Sequence, residues 1–430
     1  MNTSRRNARG ELSLQTILQQ TVSLVSSYGY DGTTIARITK STGRPASSIY
    51  WYFDTKDDLV TAALESTYSH KPGELPSWPE YRPGVELAAQ LYRALGDEFT
   101  PTETEAPVRL GIMVALEGNA ANSPVQEPFL GRRRLTLRHV ENWWLAVTED
   151  RLGPDRSDVA EWMTLLTLAF LDGHYISDVE PEAIPPNHRG GRMVVAALAS
   201  VFEHLASRLE PLNPARVTNS NPSAEPTTAG TPPADPLLAT TRSLVAERGY
   251  EGATLSRICE RSHVQRSSIY WRYKGKDELI HAAVTDGFLD LIATSKLPAP
   301  PRGEAWLSDI AVAVQVSVEA AWKSTDIVRA GLLLKLQRRD PAPLGSQAIQ
   351  QGVRQEAAAL ECWLVSALEV SHHGCDANEL GWTINILREG LLLGVAFGRG
   401  YRADVLSELI LAMLQGVVGA TKPAAITPGL

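Results

Sequence analysis

A few side chains in this sequence have the chemistry and the spacing to hold an anion or a base edge. Arg37 and Arg257 carry planar guanidinium groups, whose best base contact is bidentate, with a guanine edge. Lys56 and Lys276 each open an expected helix, where an ammonium and a helix N-terminus can face one phosphate together. A solvated lysine is the plainer alternative. Thr34 and Thr254 suit the capping position of the helices that begin beside them, and a capping hydroxyl can still meet a phosphate. Between these positions lies Ser47-Ser48-Ile49-Tyr50-Trp51, which returns intact as Ser267-Ser268-Ile269-Tyr270-Trp271. Every one of these pairs is 220 positions apart.

The elements that would position them can be traced along the chain. From Leu12 to Ser27 the residues Leu14, Ile17, Leu18, Val22 and Val25 fall at helical spacing, and Gly29 stops the run. After a turn closed by Gly32, Thr33 or Thr34 can cap a short helix reaching Lys40, with Ile35 and Ile38 on its buried face. Gly43 makes a tight turn, and Pro45 suits the first turn of a third helix running to about Tyr52. Short helix, glycine turn, short helix is the pattern of a helix-turn-helix. Lys56 and Asp57 open a fourth helix through Leu59, Ala62, Ala63 and Leu64.

The same frame recurs without a gap 220 residues later, and it extends beyond the motif. Val108-Arg109 pairs with Val328-Arg329, Glu141 with Glu361 and Trp143 with Trp363, while Asp172-Gly173 pairs with Glu389-Gly390 at a spacing of 217. The repeated unit is therefore a whole protein of roughly 200 residues. Its remainder reads all-α: helices are expected over 106–120, 129–150, 157–178 and 190–209, and over 304–323, 326–339, 346–370, 376–397 and 402–419. Residues 211–236 hold seven prolines among Thr, Ser, Asn and Ala, the composition of a flexible linker.

The chain has 430 residues, 43% apolar and 21% charged, which is more than one core usually covers. Cys259, Cys362 and Cys375 form no disulfide framework and no CxxC pair, which favours a reducing cytosol. No apolar h-region opens the sequence and no apolar run approaches the ~18 residues of a membrane span, so a soluble, cytoplasmic protein is expected. Net charge is −8. Phosphate binding needs local rather than total positive charge, and residues 237–284 carry eight basic against five acidic residues. Residues 1–65 are nearly neutral, with seven against six. Nucleophile elbows, Walker loops, GxGxxG turns and HExxH helices are absent, so an enzyme is not expected.

In Tyr30 through Ile38, Gly43 through Phe53 and Lys56 through Leu59, the first copy resembles the TetR/AcrR family of bacterial transcriptional regulators. The second copy departs from the family pattern at His263, where a turn glycine is usual, and at Lys274-Gly275; this would loosen the turn or shift the third helix. The motif covers some 50 residues per unit, and the other helices match in length and apolar character alone. The resemblance implies an all-α tandem: nine helices per unit, three for DNA, the others around a ligand pocket, the last two for pairing. The layout is then a basic tail over 1–11, helix-turn-helix domains over 12–57 and 237–277, helical ligand-binding and pairing domains over 58–210 and 278–420, the linker over 211–236, and a flexible tail over 421–430. Arg5, Arg6 and Arg9 make that first tail either flexible or an arm for phosphate or the minor groove.

By the same resemblance Tyr50 and Tyr270 would bond phosphate, with Trp51 and Trp271 beside them, unless these tyrosines are core. Bases would be read at the start of the third helix, by Arg44, Pro45, Ala46 and Ser47 in one copy and Val264, Gln265, Arg266 and Ser267 in the other. Unlike readers imply two unlike half-sites about one helical turn apart. The linker makes pairing intramolecular, at effective concentrations up to about millimolar, giving a pseudo-dimer that can be a monomer in solution. The expected partners are a DNA operator and a small lipophilic effector that releases a repressor, with no cofactor, metal or membrane. An activator is one rival; a helical protein that binds a small molecule or partner without reading DNA is another.

Candidate pocket residues are Trp143, Trp144, Trp162, His174 and Tyr175 in the first unit, and Lys335, Gln337, Trp363, Trp382 and Arg388 in the second. Ordinary core is the alternative for the tryptophans, and a partner helix for Asp172, His174 and Arg388. The His372-His373-Gly374-Cys375-Asp376 stretch has donors that suit zinc or copper, although a solvated loop is the simpler reading. Cys259 reads as packing ahead of a redox sensor.

Overall fold

Thr34 and Thr254 each accept a hydrogen bond from a backbone N–H three residues on, that of Arg37 and of Arg257, and so start matching helices. The computed structural model describes residues 3–68, 78–95, 105–117, 124–177, 191–212, 216–217, 235–293, 297–299, 305–371 and 374–419. Among them the first half holds α1 (Thr3–Gly32), α2 (Ile35–Thr42), α3 (Ala46–Tyr50), α4 (Lys56–Thr67), α5 (Leu87–Leu95), α6 (Glu105–Leu116), α7 (Glu127–Leu152), α8 (Ser157–Ile176) and α9 (Gly191–Ser207). The second holds α10 (Pro236–Gly252), α11 (Leu255–Ser262), α12 (Arg266–Arg272), α13 (Lys276–Ile292), α14 (Trp306–Lys323), α15 (Thr325–Leu336), α16 (Leu344–Ser371), α17 (Ala377–Ala396) and α18 (Ala403–Gly419). Nine helices thus stand in each half among the described residues, and the architecture is all-α with two helix-turn-helix units in tandem.

Three expectations need correction. Residues 3–11, expected as a tail, continue α1, and the Tyr52 hydroxyl donates to the Gly10 carbonyl at 3.0 Å to hold that turn down. α5 was absent from the expected helices because its nine residues are too short for a clear period, yet Leu87, Leu91 and Leu95 all face the core. The expected linker is not wholly unpaired: β1 (Arg216–Val217) bonds antiparallel to β2 (Gly400–Tyr401). The remainder of 213–234 and the tail from 420 lie outside the described residues.

The halves meet along α8 with α17, α9 with α18, and α1 with α10. One close approach uses a glycine from each half. A Cβ on Gly173 would overlap the Ile386 carbonyl, and one on Gly390 would overlap the Ala169 carbonyl. Residues 173 and 390 differ by 217, as do 169 and 386, so the two contacts are one contact seen twice through an approximate two-fold axis. Buried ion pairs flank this seam. Arg133 grips Asp172 through both guanidinium nitrogens, and Lys335 meets Glu389 at 2.6 Å. His204 of α9 and Arg208, just past its end, both reach Glu408 of α18.

Candidate nucleic-acid interface

Each reader is a short helix, a left-handed turn residue and a second short helix. Gly43 closes α2 at φ 64°, and His263 closes α11 at φ 56°, so the departure at position 263 leaves the turn geometry unchanged. His263 is the one non-glycine residue with positive φ among those described; histidine enters this region more readily than most side chains, still at some steric cost. Ile49 and Ile269 point inward, 1% and 0% exposed, and lock the reading helices to the bodies of the readers. The next two residues point out. Tyr50 and Tyr270 are each 52% exposed, and Trp51 and Trp271 reach 78% and 87%. Two large aromatics held in water at the same place in both readers form an apolar tip with polar edges, the kind of exposed patch that marks a binding surface. Arg44, Pro45, Ala46 and Ser47 are exposed beside the first tip; Gln265, Arg266 and Ser267 are exposed beside the second, with Val264 half-buried. The tyrosines are therefore not core.

The inner cations differ from expectation. Arg37 donates to the Gly32 carbonyl at 2.7 Å, lies over the Tyr28 ring and reaches Glu251 of the other half at 3.8 Å. Arg257 donates to the Gly252 carbonyl at 2.7 Å and reaches Asp31 at 3.3 Å. These are again one arrangement seen twice, since Asp31 and Glu251 are 220 apart like the arginines. Arg248 and Arg339 add to it, at 3.2 Å from Asp31 and 2.9 Å from Glu251. Both arginines expected at guanine edges are thus engaged in tying the readers together. Lys56 and Lys276 turn inward as well, over the Tyr30 and Tyr250 rings, and donate to the Tyr30 and Glu251 carbonyls. Neither is a solvated lysine. Burial lowers the pKa of Lys56 and pulls that of Lys276 down to about 8, with Arg339 and Arg37 pushing the second the same way.

Glu117 stands at the junction of the readers and was not expected there. Its carboxylate accepts from the Tyr30 N–H and lies against both Gly29 and Gly249, the kink glycines of α1 and α10 at φ 70° and 66°. Enclosure raises its pKa to about 8. Its counterpart at 220 is Gln337, whose side-chain amide donates to the Ser27 carbonyl at 2.9 Å. A pairing of opposite charges at repeat-related positions, Asp31 with Arg257 and Arg37 with Glu251, was the available sequence signal for this junction.

The candidate pocket residues scatter through the fold. Trp143, Trp144 and Trp162 are core of the first half; the Trp144 indole donates to Thr167 at 3.0 Å and stacks on Phe202. His174 and Tyr175 sit at the seam, where His174 meets Trp382 edge-on. Lys335 is consumed by Glu389, Gln337 by Ser27, and Trp363 donates to the Pro298 carbonyl while packing on Trp306. Arg388 lines a cavity between α13, α14, α16 and α17. Cys259 is half-buried; burial pushes the Cys375 thiol up to about 11. No cluster of three or more His, Cys, Asp or Glu that could hold a metal occurs among the described residues, and His372 and His373 lie outside them. No described helix is long and apolar enough to cross a membrane.

Fold and site together define a protein with two helix-turn-helix readers. The model of the bacterial regulatory proteins of the tetR family matches twice, over residues 17–63 and 237–283. Two segments in tandem thus match the helix-turn-helix unit of the tetR family, whose regulators bind DNA. A curated relative, the biofilm operon icaADBC HTH-type negative transcriptional regulator IcaR of Staphylococcus epidermidis, is 32% identical over 54 residues. That match spans 13% of this chain and 29% of the relative's length. A solved chain from Clostridium perfringens, provisionally titled a fatty acid metabolism regulator, is 13% identical, with 44% of this chain and all of that chain covered at a TM-score of 0.35.

Proposed function

We propose that this chain regulates transcription by binding a DNA site with two unlike half-sites, one for each reading helix. The observation that carries the reading is the identical exposed tip, Tyr50-Trp51 and Tyr270-Trp271, set beside unlike exposed residues. The shared tip meets backbone, which is the same for any sequence; Arg44 in one copy, and Gln265 with Arg266 in the other, meet bases. The name of the relative, a negative regulator, favours repression. Release follows from α13, whose 17 residues span ~25 Å from Lys276 beside the reader to Leu291 and Ile292 at the cavity. A ligand that favours another position of this helix changes the spacing of the readers, and half-site spacing is tightly constrained. The halves act as an intramolecular pseudo-dimer.

A gel-shift titration over a range of salt, on DNA upstream of the gene, tests this. Binding should prefer particular sequences and weaken steeply with salt. Arg44→Ala and Arg266→Ala should each relax the preference by ~1–3 kcal/mol, at different base pairs. The second reading, a small-molecule or partner-binding protein that does not read DNA, is favoured by the inward engagement of Arg37, Arg257, Lys56 and Lys276. No binding at low salt, or binding without sequence preference, would decide for it.

A further inference from the structure

Between α13, α14, α16 and α17 lies a cavity of about 280 Å³. Leu291, Ile310, Val314, Leu360 and Ile384 make its walls apolar. One wall residue is out of character. Arg388, 9% exposed, donates to the Ile292 carbonyl at 3.0 Å and to Asn385 at 2.7 Å, and its Nε has no hydrogen-bond partner. A guanidinium stays charged in a protein, so burying one without a counter-ion is costly. Glu389 and Glu356 act on the guanidinium only through space, Glu389 being paired with Lys335, and no carboxylate comes within ion-pair distance of Arg388 among the described residues. The 217-residue register of the seam puts Leu171 at the equivalent place in the first half, so the feature belongs to one half only.

Part of the lining is apolar and exposed to solvent. Val312 and Val316 belong to it and remain 51% and 49% exposed, one turn apart on α14. Ser308 and the half-exposed Asp309 form the polar edge, where a carboxylate at the mouth would repel an acid. We propose that the cavity takes a small amphiphile with one acidic head, a carboxylate, seated inward on Arg388 and with its apolar tail outward along Val312 and Val316. At ~30 Å³ for each water-sized group the volume suits roughly nine non-hydrogen atoms. A charge-assisted bidentate pair completes the hydrogen bonding of Arg388, and the tail covers the two valines. The proposal deepens the regulator reading and rests on it for its consequence. Arg388 holds the carbonyl of the last residue of α13; a carboxylate that recruits the guanidinium withdraws this tether from the helix leading to the second reader.

Calorimetric titration of the full chain with octanoate, octan-1-ol and octylammonium separates charge from tail. Octanoate should bind at least tenfold tighter than the alcohol, and octylammonium weakest. Arg388→Met should bring octanoate down to the level of the alcohol and leave the alcohol unchanged; Arg388→Lys should keep part of the preference. Ala313→Trp, which fills the cavity, should abolish binding of both. Equal affinity for acid and alcohol, no binding of either, or an acid preference that survives Arg388→Met overturns the proposal. If Arg388→Met melts early, the lysine and tryptophan variants decide alone. Gel shifts with the same proteins keep the two readings apart. Operator binding that octanoate weakens in wild type and not in Arg388→Met supports both, whereas octanoate binding without any DNA binding removes the regulator reading and leaves the acid site standing.

Discussion

The four apolar residues at the heart of each reader occupy equivalent positions and belong to different cores. Ile17, Ile38, Ile49 and Leu59 close on one another as a cluster of their own, ringed by Leu18, Leu24, Ile35, Tyr52 and Phe53. Leu237, Ile258, Ile269 and Leu279, each 220 residues later, are continuous with the large core that spans both halves. The cause lies in the supporting helices. α10 lies along α15, whereas α1 meets α6 over a shorter stretch. α4 starts with a capping box between Thr55 and Asp58; α13 has no side-chain cap on Gly275, and Glu278 instead accepts from the Lys274 N–H. The first reader is thus stabilised locally, and the second through the body that holds the cavity. Two nearly identical motifs can differ in what they are mechanically attached to.

That comparison can be broken most sharply at the paired isoleucines. Ile49→Ala and Ile269→Ala should each cost ~2–5 kcal/mol where the side chain packs. The first should speed amide exchange in α2 and α3 and leave the main thermal transition nearly unmoved, while the second lowers that transition; equal effects would show a single shared core. Next comes the junction. The Glu117 carboxyl keeps its proton up to about pH 8 when folded and releases it near its ordinary 4.5 when unfolded, so its contribution to stability is full below that range, declines across it, and is gone above pH 8. The slope is at most ~1.4 kcal/mol per pH unit, and Glu117→Gln, which matches the halves, should flatten it in denaturant titrations. Third, His263→Gly should stabilise the second reader by ~1 kcal/mol and Gly43→His should cost the first about as much, read from hydrogen exchange. The smallest effect concerns Lys276. Between pH 7 and 9 its ammonium loses its charge, and the salt slope of DNA binding should fall by up to about 1; an unchanged slope in wild type means that Lys276 stays with the Glu251 carbonyl.

Both readers were legible in the sequence, because glycine turns, capping threonines and helical spacing act over a few residues. The switch of register from 220 to 217 was legible too, and Gly173 and Gly390 turn out to lie where the backbones of the halves meet without room for a side chain. What escaped depends on distant partners. Arg37 and Arg257 have the right type for base contacts, but carboxylates from the opposite half lie nearer. Tryptophans at helical spacing do not reveal whether they wall a space or fill it, and Trp144 and Trp162 fill it. Arg388 was named for the pocket and for the seam alike; its wall position depends on the C-terminus of α13, 96 residues away in sequence.

The reciprocal glycine contact also bears on how such a chain can change. In a dimer of identical subunits each substitution arrives twice, so a harmful one is doubled at the axis and a useful asymmetry is out of reach. Here the two sides are inherited separately. Gly173 and Gly390 must each be kept on its own account, because a methyl group on either meets backbone, while one side can hold Leu171 and the other Arg388. Fusion turns a symmetric seam into two positions free to drift apart everywhere except where the backbones touch.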